Sequence, residues 1–297
     1  MPNDLPFKLR EPYSEILASE SDEIWKLIGD QDEISDLLYW PDTLKGGEGP
    51  EKLYDVKGKT FANVSFSHTE IINLNFAKCV FEDCIFIRTV FDNLEFHDCA
   101  FKNCNFGKCR IKDTYIDPSS FSKCLDIEKD ANIGTHLFQQ LMRNFKDLDQ
   151  PDFYRGAEFM FRRFSRSETW YKVGKGEVCR LKGYLRIFGN FLAEKFLGYG
   201  VRIWRFIFTS VVLFLLSWAL NWTQWGELGL SVVCETCTNG TWDSSFYYTA
   251  ISLSNLGYGD IVPSSTSGRI WASFQAVVGA IWFAVMASMV FRRIISR

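Results

Sequence analysis

The sequence predicts a multi-domain membrane protein in which an all-α C-terminal membrane domain follows an N-terminal repeat array. Three observations support this fold class. Two long runs near the C-terminus, 206–226 and 270–291, contain no formal charge. A short glycine-bearing loop lies between them. A phenylalanine or isoleucine recurs at every fifth position from Phe61 to Phe121. The average composition, 47% hydrophobic with a net charge of −3, would by itself suggest an ordinary soluble protein.

The two uncharged runs are long enough to cross a bilayer. A helix of about 20 residues extends roughly 30 Å, which is the thickness of the hydrocarbon core. Arg202 and Arg205 precede the first run, and Arg292, Arg293 and Arg297 follow the second. Basic flanks belong on the cytoplasmic side, so we expect both termini inside and residues 227–268 outside. Buried helices of a soluble core are the alternative, but two such runs so close together favour membrane spans.

The loop between the runs has glycine at alternate positions, Gly257 and Gly259, with Tyr258 between them. Backbone carbonyls that all point one way along an extended loop need alternating left- and right-handed dihedral angles, which glycine adopts at low cost. A ring of such carbonyls can replace the water that a cation loses in a narrow pore. A glycine-tyrosine-glycine loop by itself is more often a turn than an ion-binding filter, and the flanking apolar runs favour the filter here.

With this loop and its flanking spans, residues 201–297 resemble the pore of the tetrameric potassium-channel family with two spans per subunit. The resemblance implies, in chain order, an outer helix at 203–224, a re-entrant pore helix at 242–254, a filter at 255–260 and an inner helix at 269–293. The ion-binding filter residues that it implies are Asn255, Leu256, Gly257, Tyr258 and Gly259.

The resemblance also assigns roles around the filter. It implies that Tyr248 and Asp260 support the filter and that Gly279 is a hinge in the inner helix, although Gly279 could instead let helices pack closely. The start of the pore helix can be capped by Asp243, Ser244 or Ser245. One loop supplies a quarter of a carbonyl ring, so we expect a homotetramer.

One departure from the family bears on selectivity. The family's filter begins with threonine and valine, where this chain has Asn255 and Leu256. The Asn255 carboxamide keeps an oxygen ligand at the innermost site, but on a longer arm. We expect a potassium-selective filter with an altered inner site, and the alternative is a weakly selective monovalent cation channel.

The five-residue period defines the second module. Neither the helical period of 3.6 nor the strand period of 2 divides it. A smaller residue lies two positions before most of the central aromatic or isoleucine residues. The pattern resembles the pentapeptide-repeat family, which implies a right-handed quadrilateral β-solenoid with four repeats per coil at 56–122. The family places the central and the small residue inside, so Cys79, Cys84, Cys99, Cys104 and Cys109 are expected to be core residues rather than metal ligands.

Two segments, residues 1–55 and 123–200, lie outside the repeats and the membrane domain. Residues 1–55 are acidic and are expected to be helical near 24–28 and 34–40 and to cap the open end of the array. Residues 123–200 predict a helical linker. Its helices are expected at 133–148, 153–167 and 181–197. The last helix is amphipathic and is expected to lie on the inner membrane surface or to pack on its own soluble domain.

Two kinds of candidate modification lie in the outer part of the membrane domain. Cys234 and Cys237 are on the predicted outer loop, where an oxidising compartment would permit a disulfide within or between chains. Asn221 and Asn239 each begin a match to the glycosylation pattern.

Together these patterns predict a passive potassium channel of a bacterial inner membrane, gated through its cytoplasmic N-terminal domain. The expected partners are potassium ions, the lipid bilayer, three further copies of the chain and an unidentified cytoplasmic ligand or protein. No cofactor is expected, and potassium at the filter is the only metal. The repeats offer no nucleophile, paired carboxylates or phosphate loop, which argues against an enzyme. Some pentapeptide-repeat proteins resemble DNA in shape, but the array here is short and its outer charges are mixed, which argues against that role. No nucleic-acid partner is expected. The alternative is a non-conducting membrane anchor that displays the array.

Overall fold

The computed structural model describes residues 8–47, 52–177, 179–198, 203–233 and 240–295. The chain divides into two compact units, Met1–Asn190 and Phe191–Arg297. The strands of the first unit are β1 (Ser14–Ile16), β2 (Glu33–Tyr39), β3 (Thr43–Lys45), β4 (Tyr54–Lys57), β5 (Thr60–Ser65), β6 (Glu70–Ala77), β7 (Val80–Glu82), β8 (Val90–His97), β9 (Ala100–Lys102), β10 (Arg110–Lys112) and β11 (Tyr115–Ile116).

Three helices lie wholly in the first unit: α1 (Glu23–Asp30), α2 (Ala131–Asp147) and α3 (Pro151–Gly174). The division between the units falls within α4 (Arg180–Leu197). The second unit continues with α5 (Ile203–Thr223), β12 (Leu230–Val232), α6 (Trp242–Leu253), β13 (Ile261–Pro263) and α7 (Thr266–Ile295).

The repeat array forms two sheets of parallel strands. One sheet has the order β1-β2-β5-β7-β9, and the other has β10-β8-β6-β3 with β4 on β6 and β11 on β8. Phe61 pairs with Phe81 and Phe81 with Phe101, so the register advances by 20 residues (81 − 61), or four five-residue repeats. The sequence period therefore sets the strand register.

Aromatic rings from successive turns of the array stack in its core. The ring centroids of Phe61 and Phe81 lie 5.0 Å apart, those of Phe81 and Phe101 4.9 Å apart, and those of Phe101 and Phe121 4.8 Å apart. All central residues of the repeats are buried. Stacked pairs of this kind add to the free energy that burial of the rings supplies.

The cysteines occupy the small inward positions, as predicted. Cys79, Cys84, Cys99, Cys104 and Cys109 are buried and are free thiols. The Cys84 thiol donates to the Phe61 carbonyl at 3.3 Å, and the Cys104 thiol donates to the Phe81 carbonyl at the same distance. The five thiols thus behave as small core residues, and those of Cys84 and Cys104 each donate a weak hydrogen bond to the neighbouring strand. Ser119 is an exception to the inward pattern, because it is exposed in the short 3₁₀ helix Pro118–Phe121 that ends the array.

The N-terminal segment contains both an α-helix and strands that extend the array. The prediction of helix at 24–28 agrees with α1, whose Ile24 and Ile28 join the array core. The prediction of helix at 34–40 is wrong, because β2 occupies this stretch and pairs in parallel with β5, with Ile34 opposite Phe61. A short apolar run fits either structure, and pairing with β5 stabilises the strand.

At the other end of the array, α2 and α3 form an antiparallel pair that covers the last turn. The Phe138 ring lies 6.2 Å from that of Phe121. Asn144 is buried and exchanges hydrogen bonds with the Thr114 backbone, at 2.9 Å from the Thr114 N–H and 2.7 Å to its carbonyl. The third helix is longer than the predicted 153–167, since it continues to Gly174.

Candidate ion-conducting site

Two helices of the second unit are long and apolar enough to cross a membrane: Trp204–Thr223 in α5 and Thr266–Phe291 in α7. Only 17% and 11% of the residues in their most apolar windows are buried. Their bounds agree with the predicted outer helix at 203–224 and extend the predicted inner helix at 269–293 by three residues at its start. The large exposed apolar surface needs lipid or further protein to cover it.

The helix α6 between them begins one residue after Thr241, which has extended backbone and is the N-cap. The predicted caps Asp243, Ser244 and Ser245 lie inside the first turn instead. The Ser245 hydroxyl donates to the Thr241 carbonyl at 3.0 Å, and the hydroxyls of Thr241 and Ser244 lie 2.9 Å apart. The Thr241 hydroxyl, followed by nearby backbone N–H groups, holds the pKa of the Asp243 carboxyl below its usual value.

The C-terminus of α6 ends in a Schellman motif at the entrance to the predicted filter. The Asn255 N–H donates to the Ser252 carbonyl at 3.3 Å, and the Leu256 N–H donates to the Ile251 carbonyl at 3.0 Å. Asn255 is left-handed, with φ of +58°. This motif requires a left-handed residue after the cap, and asparagine is the commonest choice after glycine. The left-handed backbone is therefore a reason for asparagine at position 255, in addition to the oxygen ligand that its carboxamide could supply.

The filter loop alternates in backbone handedness. Asn255, Gly257 and Gly259 have φ of +58°, +52° and +80°. The intervening residues Leu256 and Tyr258 do not have positive φ, and their side chains are 60% and 69% exposed in a single copy. The predicted ion-binding residues thus form one continuous segment with the alternation that the carbonyl argument requires.

A small antiparallel sheet joins a strand before α6 to a strand after the predicted filter, and it was not expected from the sequence. Strands β12 and β13 pair Val232 with Ile261, and the Val233 N–H donates to the Asp260 carbonyl at 2.8 Å. Tyr248 on α6 packs against Leu230 and Ile261 of these strands. The two residues predicted to support the filter, Tyr248 and Asp260, therefore both contact this outer sheet.

Gly279 lies where α7 approaches the end of α6. A methyl group on Gly279 would lie 2.1 Å from the Leu253 carbonyl oxygen and 2.9 Å from its carbon. Glycine thus permits a close backbone approach two residues before the filter begins. This geometry favours the packing alternative, and the hinge role stays a prediction.

A buried polar junction joins α5, α6 and α7. The Asn221 side-chain N–H₂ on α5 donates to the Thr249 hydroxyl on α6 at 2.8 Å. The Trp271 indole N–H on α7 donates to the Asn221 side-chain oxygen, also at 2.8 Å. The Thr249 hydroxyl donates in turn to the Ser245 carbonyl at 2.7 Å. Asn221 is fully buried, so its match to the glycosylation pattern does not mark an accessible site.

A second contact joins α5 and α7 further along both helices. The Trp282 indole N–H donates to the Ser210 hydroxyl at 2.7 Å, and the Trp282 ring stacks on Phe206 with centroids 4.8 Å apart. Near the same end of α5, the Arg205 guanidinium donates to the Glu194 carbonyl at 3.0 Å and the Thr209 hydroxyl reaches the Phe196 carbonyl at 2.9 Å. The last turn of α4 is thereby attached to α5.

Two further sequence predictions are not decided by this geometry. Cys234, Cys237 and Asn239 lie outside the described residues. Within the described ranges, no group of three or more histidine, cysteine, aspartate or glutamate side chains is placed to hold a metal ion.

Comparison with known families identifies the class of this unit. The model of the ion channel family matches residues 206–296, which include nearly all of α5, α6, the predicted filter loop and all of α7. No curated protein matches the chain. The match points to a transport role rather than catalysis. The C-terminal part of this chain is therefore similar to an ion channel domain, and it has two helices that can cross a membrane by length and composition.

Proposed function

We propose that the chain is the subunit of a passive, potassium-selective, homotetrameric channel. The observation that carries this proposal is the alternation of left-handed residues at Asn255, Gly257 and Gly259, at the end of a short helix between two membrane-capable helices. Such a backbone can aim successive carbonyls at one axis, where they replace the hydration shell of a bare potassium ion.

Assembly from four copies completes this filter. In one copy the side chains of Leu256 and Tyr258 are largely exposed, and one loop gives only one carbonyl at each level of a ring. Neighbouring copies would cover these side chains with their own pore helices. They would also bury part of the exposed surface of α5 and α7.

The gate is proposed to respond to the cytoplasmic part of the chain through α4. The Glu194 and Phe196 carbonyls in the last turn of α4 accept hydrogen bonds from Arg205 and Thr209 of α5. The same end of α5 contacts Trp282 on α7, the predicted inner helix. Movement of α4 would therefore shift α5 and, through Trp282, the part of α7 beyond Gly279.

Two features support placing α4 on the inner membrane surface. Its large apolar side chains are exposed, at Leu181, Tyr184, Leu185, Phe188, Phe191, Leu192 and Phe196. Basic residues accompany them, at Arg180, Lys182, Arg186 and Lys195. A helix with these two properties binds the boundary between headgroups and acyl chains. The termini would then be cytoplasmic, and the membrane that of a bacterium.

The repeat array is proposed to be a right-handed, four-sided solenoid of the pentapeptide-repeat type, acting as the regulatory module. The parallel register with a step of four repeats, as between Phe61 and Phe81, supports this. Its ligand would be a small molecule or a protein of the cytoplasm.

Flux through the purified full-length protein in liposomes tests the proposal. We expect potassium flux above that of empty liposomes and, in planar bilayers with potassium and sodium on opposite sides, a sodium-to-potassium permeability ratio well below one. A ratio near one would favour the weakly selective alternative, for which the altered residue Asn255 is the specific reason. Tetramers that carry no ion would favour the non-conducting anchor.

A further inference from the structure

We propose that Asn221 is a positioning residue that sets the selectivity of the filter by fixing α6 against both spans. The inference deepens the proposed function and rests on it. Its basis is the buried junction in which the Asn221 amide bridges Thr249 of α6 and Trp271 of α7 at 2.8 Å each.

The polar groups that α5 and α6 contribute to the junction lie away from solvent. Asn221 and Thr249 are fully buried, as is Ser245, whose carbonyl accepts from the Thr249 hydroxyl. Each donor is aimed at one acceptor in a chain from Trp271 through Asn221 and Thr249 to Ser245. At membrane depth a polar group that loses its partner finds no water to replace it, so the arrangement favours one relative position of the three helices.

The position of α6 is transmitted to the filter over a short distance. Thr249 lies one helical turn before Leu253, and the Schellman motif at Asn255 follows directly. Because that motif attaches the first filter residues to the last turn of α6, a rotation or shift of the helix moves the filter carbonyls with it. A change in their spacing alters the discrimination between sodium and potassium.

The test compares variants that differ by one hydrogen-bonding group. Thr249→Val removes the hydroxyl and keeps the shape, whereas Thr249→Ser keeps the hydroxyl. Trp271→Phe removes the indole N–H, and Trp222→Phe, at an exposed tryptophan beside Asn221, is its control. Asn221→Leu removes both bonds. The readout is the sodium-to-potassium permeability ratio from bi-ionic reversal potentials, which does not depend on the number of folded channels.

We expect Thr249→Val and Trp271→Phe to raise the ratio about threefold, the size of effect that one interhelical hydrogen bond carries. Asn221→Leu should raise it further, while Thr249→Ser and Trp222→Phe should match the unchanged protein. If Thr249→Val and Trp271→Phe form tetramers with an unchanged ratio, the inference is overturned although the channel proposal stands. If the unchanged protein itself conducts no ions or does not discriminate, the proposed function fails first, and that result overturns this inference as well.

Discussion

Both parts of this chain repeat a left-handed residue, but at different periods. In the array every fifth residue from Asn63 to Asp113 has φ between 46° and 69°, and lysine, arginine and histidine are among them. In the filter every second residue from Asn255 to Gly259 is left-handed, and only asparagine and glycine occur there. The array repeats the conformation once in each five-residue repeat, and the predicted filter repeats it at alternate residues of one short loop.

The difference shows what compensates for the conformational cost in each place. An ordinary residue in this region costs roughly 1–2 kcal/mol. In the array the cost is offset within one chain, because each turn stacks on the next, as when the Asn93 side chain donates to that of Asn73 at 2.8 Å. In the proposed channel the filter carbonyls would gain a partner only from an ion bound among further copies. On that proposal the array is complete in one chain, and the pore domain is not.

The largest effect is expected from Gly257→Ala. The new side chain would force a residue with a Cβ to keep φ of +52° in all four copies, at a total cost of roughly 4–8 kcal/mol. Potassium flux in liposomes should be lost while the tetramer is retained. Gly226→Ala, where the added methyl meets no atom within 4 Å, is the control and should conduct normally. Normal potassium flux through the Gly257→Ala protein would mean that conduction does not depend on a left-handed glycine at position 257.

Phe81→Ala tests the array side. The ring lies between those of Phe61 and Phe101, at 5.0 and 4.9 Å, so its removal leaves a cavity inside the core. We expect the free energy of unfolding of the first unit to fall by about 3–5 kcal/mol, measured by urea unfolding of the full chain in detergent. Leu17→Ala, at an exposed position, should change it little. A loss no larger than that of the control would mean that the array does not have a stacked core.

Gly279→Ala distinguishes a role of Gly279 in close helix packing from a role as a hinge in α7. A methyl group 2.1 Å from the Leu253 carbonyl must displace α7 or α6, so we expect the tetramer to lose about 1–3 kcal/mol of stability. The thermal midpoint of the purified tetramer in potassium measures this. Gly189→Ala in α4, with open space around the added methyl, should be neutral or stabilising. A stability gain with Gly279→Ala, together with slower opening, would support the hinge instead.

The smallest effect is expected from Lys78→Gly. Lys78 has φ of +57°, and glycine removes the conformational cost while adding some entropy to the unfolded chain. The array should gain about 0.5–1 kcal/mol on urea unfolding. The same change at Lys45, an exposed residue of β3 without positive φ, should destabilise the array. Equal effects at both positions would mean that the left-handed conformation of Lys78 does not reduce the stability of the array.

The sequence predicted the structure of those segments that have a repeated pattern or a long uncharged run. The period from Phe61 to Phe121 predicted buried core residues, and the uncharged runs predicted α5 and α7 with nearly correct bounds. The five-residue period begins at Phe61, after β2 in the chain. Strand β2 pairs with β5 through a step of 27 residues (61 − 34) between Ile34 and Phe61. Periodicity alone could not assign such a strand.

Contacts between distant single residues were also missed. Asn221 and Trp271 lie 50 positions apart, and nothing in either local sequence marks them as partners. The pairing of Val232 with Ile261 joins two three-residue strands that are too short to show an alternating pattern. The left-handed conformation of Asn255 depends on where α6 ends, and the residue type at that position does not specify it.

The number of chains in the assembled protein decides whether further copies complete the pore domain. The measurement is the mass of the purified full-length protein in lipid nanodiscs, determined by native mass spectrometry with potassium present. We expect a single dominant species that contains four chains. A protein that remains a single chain under these conditions would show that the proposed filter is not assembled from several copies.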